Sequence, residues 1–147
     1  MPDRTSLRIV LAFDYGMKRI GVATGNALIG SATPLPALKA TDGVPRWEQI
    51  TALIDQWRPD LLLVGLPLNM DDSESEMSAR AARFGRRLHG RFGIRCELMD
   101  ERLSSFEARG ALVGTRTTTG MIDSVAAQLI LESWFASRKM SPDPGSV

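Results

Sequence analysis

Cysteine, histidine and tyrosine each occur only once in the 147 residues, which removes several common kinds of site. The single cysteine, Cys96, cannot form an intrachain disulfide and leaves too few thiols for a structural zinc site. A catalytic triad or a histidine-based zinc site cannot be assembled convincingly around one histidine, His89. The candidate chemistry therefore lies with the acidic and basic residues.

Long apolar runs and a secretion signal are also lacking. No apolar run approaches the ~20 residues that a membrane-spanning helix needs. The N-terminal segment MPDRTSLRIVLAFD has acidic residues on both sides of its short apolar run and has no small-residue cleavage site. The sequence therefore predicts a cytoplasmic protein without a membrane partner.

Net charge is nearly absent, since 18 Lys and Arg stand against 17 Asp and Glu. A strongly basic domain, the simplest indication of nucleic-acid binding, is therefore excluded. The distribution is uneven, because an acidic cluster at residues 71–76 is followed by six arginines between Arg80 and Arg95. Arg80, Arg83 and Arg87 lie on one flank of a predicted helix, and either a solvated face or a phosphate-binding face explains them.

Length and composition predict one soluble domain over residues 1–139, with a disordered tail over residues 140–147. A continuous apolar run ends at Phe13 and predicts a buried central strand. Residues 19–24 predict a returning strand, and residues 28–38 a third, which Pro34 and Pro36 confine to an edge or shorten. These three elements predict an antiparallel meander.

The rest of the chain alternates between helical and strand periodicity. Helices are predicted over residues 47–57 and 120–139. A further helix is predicted to follow a capping box of Ser73 and Glu76, and a short one to begin at Ser104 or Ser105. Strands are predicted over residues 61–65 and 94–98. The pattern indicates an α/β fold with a mixed five-stranded sheet, three antiparallel strands followed by two parallel ones, and helices on both faces.

Acidic residues end or begin three of these elements. Asp14 ends the first strand, Asp100 and Glu101 end the last, and Asp123 opens the most apolar helix. Singly, each has an ordinary explanation: a turn cap, a surface ion pair, or an acid favoured by the helix dipole. Strand alternation places Asp100 and Glu101 on opposite faces, and periodicity does not decide between them.

Together the acids predict a metal site at one rim of the sheet. Clustered carboxylates repel one another unless a hard cation neutralises them, and Mg²⁺ prefers oxygen ligands. Two such metals can activate a water and stabilise the leaving oxygen of a phosphodiester. The pattern is consistent with a metal-dependent hydrolase.

Four segments, in order, resemble the YqgF family, which is also described as RuvX-like. These segments are FDYGMKRIGVATG (13–25), VGLPLNMDDSESE (64–76), DERLSSFEA (100–108) and IDSVAAQLIL (122–131). The resemblance spans about residues 7–136. Family members are bacterial proteins related to Holliday-junction resolvases, and they are regarded as nucleases for the 5′ end of pre-16S ribosomal RNA.

The resemblance implies an RNase H-like fold and assigns roles to individual residues. Asp14, Glu101 and Asp123 match the acidic metal-binding and catalytic triad, which selects Glu101 over Asp100. The implied cofactor is Mg²⁺ or Mn²⁺. Lys18, Arg19, Asn69 and Arg102 are the candidate nucleic-acid contacts. The implied partners are pre-16S RNA, alone or in a ribosomal precursor particle, or branched DNA, and the expected state is a monomer or weak dimer.

Three other functions compete with ribosomal RNA maturation. A DNA junction resolvase would use the same triad but needs a stable dimer, and no long exposed apolar helix face is evident to build one. Asp14, Gly16 and Gly21 also resemble the phosphate loop of actin-like and sugar-kinase ATPases, which need two such domains. A non-catalytic RNA-binding module would not require the triad, all three residues of which are present.

Overall fold

The computed structural model describes residues 8–66, 76–100 and 119–140. These residues form six strands and three helices. The strands are β1 (Ile9–Asp14), β2 (Arg19–Asn26), β3 (Ser31–Thr41), β4 (Val44–Pro45), β5 (Leu61–Leu66) and β6 (Cys96–Asp100). The helices are α1 (Trp47–Trp57), α2 (Glu76–Phe92) and α3 (Thr119–Met140). None of these helices is long and apolar enough to span a bilayer.

The strands form one mixed sheet in the order β4-β3-β2-β1-β5-β6. The predicted antiparallel meander is confirmed, and β5 and β6 run parallel to β1. The predicted count of five strands is wrong by one, because β4 pairs with Ala40 and Thr41 of β3. Two residues are too few to show a strand period, so β4 is defined by its backbone pairing with β3 across the two-residue turn at Asp42 and Gly43.

The third strand lies further along the chain than the predicted residues 28–38 and is not shortened. Pro34 and Pro36 are tolerated because β4 pairs with β3 only near its end, which leaves the outer edge beside the prolines without a strand partner in the described chain. Pro45 ends β4, and α1 begins two residues later at Trp47.

The two faces of the sheet carry separate apolar cores, which confirms helices on both faces. Helix α3 packs on one face, hereafter the α3 face, where Ala127, Ile130 and Trp134 meet Val10 and Ala12 of β1. Helices α1 and α2 pack on the opposite face. Its core members include Leu11, Phe13, Ile50, Ala81, Phe84 and Leu88. Ala81, Phe84 and Leu88 thus form one apolar stripe of α2 at helical spacing.

Alternation along the strands fixes which later positions share a face. In β1, Val10 and Ala12 lie on the α3 face, so position 14 has the same parity. In β6, Met99 belongs to the core of the α3 face, whereas Cys96 packs on the opposite core. Position 99 therefore lies on the same face of the sheet as Asp14, that is, it has the same parity, and position 100 lies on the other face.

Several residues with reactive or aromatic side chains pack against the core or are exposed to solvent. Burial, followed by the charge of Glu97, raises the pKa of the Cys96 thiol to about 11, so the thiol is protonated and inert at neutral pH. Trp47 and Trp57, at the two ends of α1, pack against the core. His89 is exposed, with Nδ1 3.1 Å from the carbonyl oxygen of Ile94.

Candidate functional site

The candidate site lies at the edge of the sheet where β1, β5 and β6 end. Since these strands are parallel, their carboxyl ends meet at one edge, where α/β proteins commonly bind ligands. Asp14 is level with Gly65 of β5, and Leu66 of β5 is level with Asp100 of β6. The sheet thus brings together the ends of the two strands that the sequence marks with acids.

Asp14 occupies an open position at this edge. It is half-buried, and its partners in the neighbouring strands are Gly21 on one side and Gly65 on the other. Glycine has no side chain, so neither neighbouring strand fills the space beside the Asp14 carboxylate. The carboxyl end of β1 therefore carries an acid whose two cross-strand neighbours lack side chains.

The turn after Asp14 is held rigidly by its glycine and by backbone hydrogen bonds. A Cβ on Gly16 would lie 2.4 Å from the carbonyl oxygen of Arg19, so only glycine fits this turn. The Ala40 N–H donates to the Lys18 carbonyl oxygen at 2.8 Å, and the Gly43 N–H donates to the Met17 carbonyl oxygen at 2.9 Å. The turn is therefore bound to the end of β3 and to the β3–β4 hairpin.

The hairpin between β3 and β4 fits closely against Tyr15. Its turn residues Asp42 and Gly43 have φ values of +51° and +81°, the left-handed conformations of a two-residue hairpin turn. The buried Tyr15 hydroxyl donates to the Gly43 carbonyl oxygen at 2.8 Å. A Cβ on Gly43 would lie 2.0 Å from that hydroxyl, so the contact excludes any other residue.

Asp123 is the fifth residue of α3, because the helix begins at Thr119. The predicted place in the first helical turn is therefore wrong by about one turn, and the helix dipole gives little support to an acid there, since its effect falls off within the first turn. Ala127 and Ile130, four and seven residues further on, are buried against the sheet. Asp123 lies on the helical stripe that packs on the α3 face.

Ser124, next to Asp123, anchors the start of α3 to the sheet. Its side chain is fully buried, and its hydroxyl oxygen accepts a hydrogen bond from the Val22 N–H at 3.1 Å. The hydroxyl in turn donates to the Leu35 carbonyl oxygen. Both partners adjoin the irregularity where the β2–β3 register shifts between Ile20 and Val22. Ser124 thus satisfies backbone groups at this irregularity and fixes α3 beside the strand that flanks Asp14.

The remaining predicted site residues divide into two groups. Lys18 and Arg19 are exposed at the same edge as Asp14. Asn69, Glu101 and Arg102 lie outside the described residues, as do the predicted short helix near Ser104, the capping Ser73 and residues 141–147. Within the described chain, no three Asp, Glu, His or Cys residues form a metal-binding group, and Asp14 is the triad member whose side chain is described.

The arginine flank of α2 is less uniform than its spacing predicts. Arg83 and Arg87 are exposed, whereas Arg80 is half-buried with Nη1 3.8 Å from the Met17 sulfur. Arg91 lies over the ring of Trp47, 4.2 Å from its centroid, a cation–π contact. Arg80 and Arg91 therefore have structural contacts, whereas Arg83 and Arg87 of the predicted flank are exposed.

Sequence reasoning missed three residues near this edge: Ser124, Lys39 and Arg46. A serine among the buried apolar residues of a helix is a weak signal of this anchoring role. Its buried hydroxyl requires hydrogen-bond partners, but the sequence alone does not identify them. Lys39 and Arg46 carry no motif. They join the edge because β3 pairs with β2 in one particular register and α1 begins beside the same turn.

The mixed sheet, the helices on its two faces and the acid at the end of its central strand define a protein of the RNase H-like class. RuvC of Thermus thermophilus, solved in complex with a Holliday junction substrate, has a similar fold with a TM-score of 0.57. The alignment covers 90% of this chain and 96% of that one at 14% sequence identity, which shows the fold alone.

The family follows from the sequence comparisons. The family model RuvX, described as Holliday junction resolvase, matches residues 8–137. A relative from Marinobacter nauticus, named "Putative pre-16S rRNA nuclease", is 53% identical over 138 residues, covering 91% of this chain and 96% of its own. A relative of the same name from Chromohalobacter salexigens is 57% identical over 134 residues, covering 88% and 90%. The chain belongs to the RuvX family.

Substitution of Ser124 tests the anchoring of α3. Ser124→Ala leaves the buried Val22 N–H without its acceptor, and we expect a loss of about 1–3 kcal/mol in the free energy of unfolding. Chemical denaturation of both proteins measures it. Ser124→Thr, which keeps the hydroxyl, is the matched variant and should retain more of the stability. Equal stability of Ser124→Ala and the parent would contradict the anchoring role.

Proposed function

We propose that the protein is a metal-dependent nuclease that hydrolyses phosphodiester bonds of RNA and matures the 5′ end of pre-16S ribosomal RNA. Membership of the RuvX family and relatives at 53% and 57% identity support nuclease activity. The structural observation that carries the proposal is Asp14, half-buried at the end of the central strand between Gly21 and Gly65. The RNA substrate is inferred from the name of the relatives.

Glu101 is the proposed second carboxylate, in preference to Asp100. Met99 lies in the core of the α3 face, and Asp14 has the parity of that face. If the alternation of β6 continues for two residues beyond Met99, position 101 shares the face of Asp14 and position 100 does not. Asp123, on the stripe of α3 that packs on this face, is the proposed third member.

The proposed donor set suits Mg²⁺ or Mn²⁺, because carboxylate oxygens are the ligands that such hard cations prefer. Asp14, Glu101 and Asp123 would hold the metal, and the cross-strand neighbours of Asp14 are both glycines. When bound, the metal supplies a water of lowered pKa and positive charge near the leaving oxygen. Lys18, Arg19, Asn69 and Arg102 would position the phosphate backbone without reading its sequence.

Cleavage of four-way DNA junctions is the second candidate function. The description of the matched family and the shared fold with RuvC favour it. A direct comparison offers the protein a pre-16S leader RNA and a four-way junction, each with Mg²⁺ or Mn²⁺ and with chelator. Metal-dependent cleavage of the RNA supports the proposed function, whereas cleavage of the junction alone replaces it with the resolvase.

Asp14→Asn separates a metal ligand from a turn cap. The change removes one charge from the proposed carboxylate cluster at nearly constant shape, so in chelator the variant should melt at the same or a higher temperature. It should also lose metal-dependent cleavage and show a smaller thermal shift with Mn²⁺. Melting curves with chelator and with metal, beside a nuclease assay, measure all three effects.

Asp60→Asn is the matched control for this experiment. The Asp60 carboxylate accepts hydrogen bonds from the Arg8 and Ile9 N–H groups at 2.9 and 3.0 Å, at the opposite edge of the sheet. Loss of that charge should lower stability or leave it unchanged, and cleavage should persist. If the Asp14→Asn protein were destabilised but fully active, Asp14 would be a turn cap. Loss of such a cap costs roughly 1 kcal/mol of stability, by analogy with helix caps.

The exposed residues Arg83 and Arg87 of α2 lead to a separate prediction. If Arg83 and Arg87 contact phosphates, changing both to Gln should flatten the dependence of log K on log salt by about 0.7–0.9 per lost contact. Fluorescence anisotropy of a labelled RNA across a salt series, in chelator, measures the slope. An unchanged slope would assign these arginines to an ordinary solvated helix face.

A further inference from the structure

A cleft beside the turn after Asp14 is lined by cations from three different elements. Lys18 and Arg19 come from the turn and the start of β2, Lys39 from β3, and Arg46 from the residue before α1. Four of the described residues that line this cleft are basic and none is acidic. Its open volume is about 570 Å³, against about 130 Å³ for the pocket beside Trp47 and Arg87. The cleft can accept an extended anionic chain.

Lys39 lies directly opposite another cation in the sheet. Lys39 is the direct cross-strand partner of Arg19 in the β2–β3 register, and like charges placed directly opposite are destabilising. Leu38 and Ile20 pack on the opposite core, so Lys39 and Arg19 have the parity of the α3 face, which is that of Asp14. Among the described residues, no acid forms an ion pair with Lys39.

Arg46 is also unfavourable by local criteria. It is the N-cap residue of α1, and its side chain makes no capping hydrogen bond. N-cap positions favour Ser, Thr, Asp or Asn, and the helix dipole disfavours a cation there. Arg46 is exposed and has no ion pair within the described chain. Two exposed cations without an ion pair in the described chain thus line one cleft.

The frame of the cleft is preformed. The hydrogen bonds from Ala40 to Lys18 and from Gly43 to Met17 join the turn to β3 and to the hairpin. The Tyr15 hydroxyl closes the hairpin onto the same turn. A ligand would therefore order only the ends of long side chains, and a smaller entropic cost of binding favours affinity.

We propose that Lys39 and Arg46 bind the phosphodiester backbone of the substrate strand, at phosphates other than the one that is cleaved. The Cα atoms of Lys39 and Asp14 are two strands and about two residues apart, about 12 Å at standard strand dimensions. The lining of the cleft extends from Arg19 and Lys39, which have the parity of the α3 face, to Arg46 at the start of α1. It guides the strand away from the cleavage site and raises affinity without reading sequence.

This inference rests on the proposed nuclease function, and the experiment separates the two. The double variant Lys39→Gln/Arg46→Gln is compared with the parent by anisotropy of a labelled pre-16S leader RNA in chelator, across a salt series. Loss of two contacts should flatten the slope of log K against log salt by about 1.4 for a single strand. A DNA strand of the same sequence should show a similar change, because phosphates carry the contact.

The matched control is Arg8→Gln/Arg58→Gln. It removes the same charge from exposed residues that precede β1 and β5, at the opposite edge of the sheet. Its slope should stay closer to that of the parent. Lys39→Gln alone should melt at the same or a higher temperature, since it removes a like charge opposite Arg19, whereas a structural role for Lys39 would lower the melting temperature.

Each outcome has one reading. A flattened slope in Lys39→Gln/Arg46→Gln but not in the control supports the cleft. Equal slopes in the two double variants overturn it, even if the parent cleaves RNA. A parent that binds through the cleft but cleaves neither RNA nor a DNA junction overturns the proposed nuclease function alone, and a parent that binds no nucleic acid overturns both.

Discussion

The parallel register of β1 with β5, and of β5 with β6, is the constraint on which the candidate site depends. It sets the ends of three strands at one edge and places Asp14 level with Gly65. On the other side, the antiparallel register sets Gly21 beside Asp14. A buried central strand thus ends in a half-exposed carboxylate with no side chain beside it in either neighbouring strand. A one-residue slip would turn this carboxylate to the other face.

Two further elements are positioned relative to that edge by hydrogen bonds between buried side chains and backbone groups. Ser124 joins the first turns of α3 to Val22 and Leu35 and so fixes the helix that carries Asp123. The hairpin after β3 is bound to the turn after Asp14 through Tyr15 and Gly43. The rigid edge therefore presents a carboxylate on the α3 face and a basic cleft beside it, an arrangement that suits a phosphate backbone.

The sequence predicts those parts of this arrangement that depend on local periodicity. The buried strand before Asp14, the stripe of α2 and the apolar face of α3 are all encoded by the spacing of neighbouring apolar residues. By contrast, β4 is too short to have a period, and the roles of Lys39 and Ser124 depend on partners in other strands. The choice between Asp100 and Glu101 also depends on the register of β6 with β5, because that pairing shows which positions of β6 lie on the α3 face.

We propose that the carboxyl ends of the strands contribute to a metal-binding carboxylate set on the α3 face, and substitutions of the neighbouring residues 100 and 101 test this proposal. Mn²⁺ binding by calorimetry and cleavage of the leader RNA are measured for Glu101→Gln and for Asp100→Asn. We expect Glu101→Gln to lose both Mn²⁺ affinity and cleavage and Asp100→Asn to retain them, because alternation continued beyond Met99 would put position 101 on the face of Asp14. Retention of Mn²⁺ binding and cleavage by Glu101→Gln, with their loss in Asp100→Asn, would contradict it.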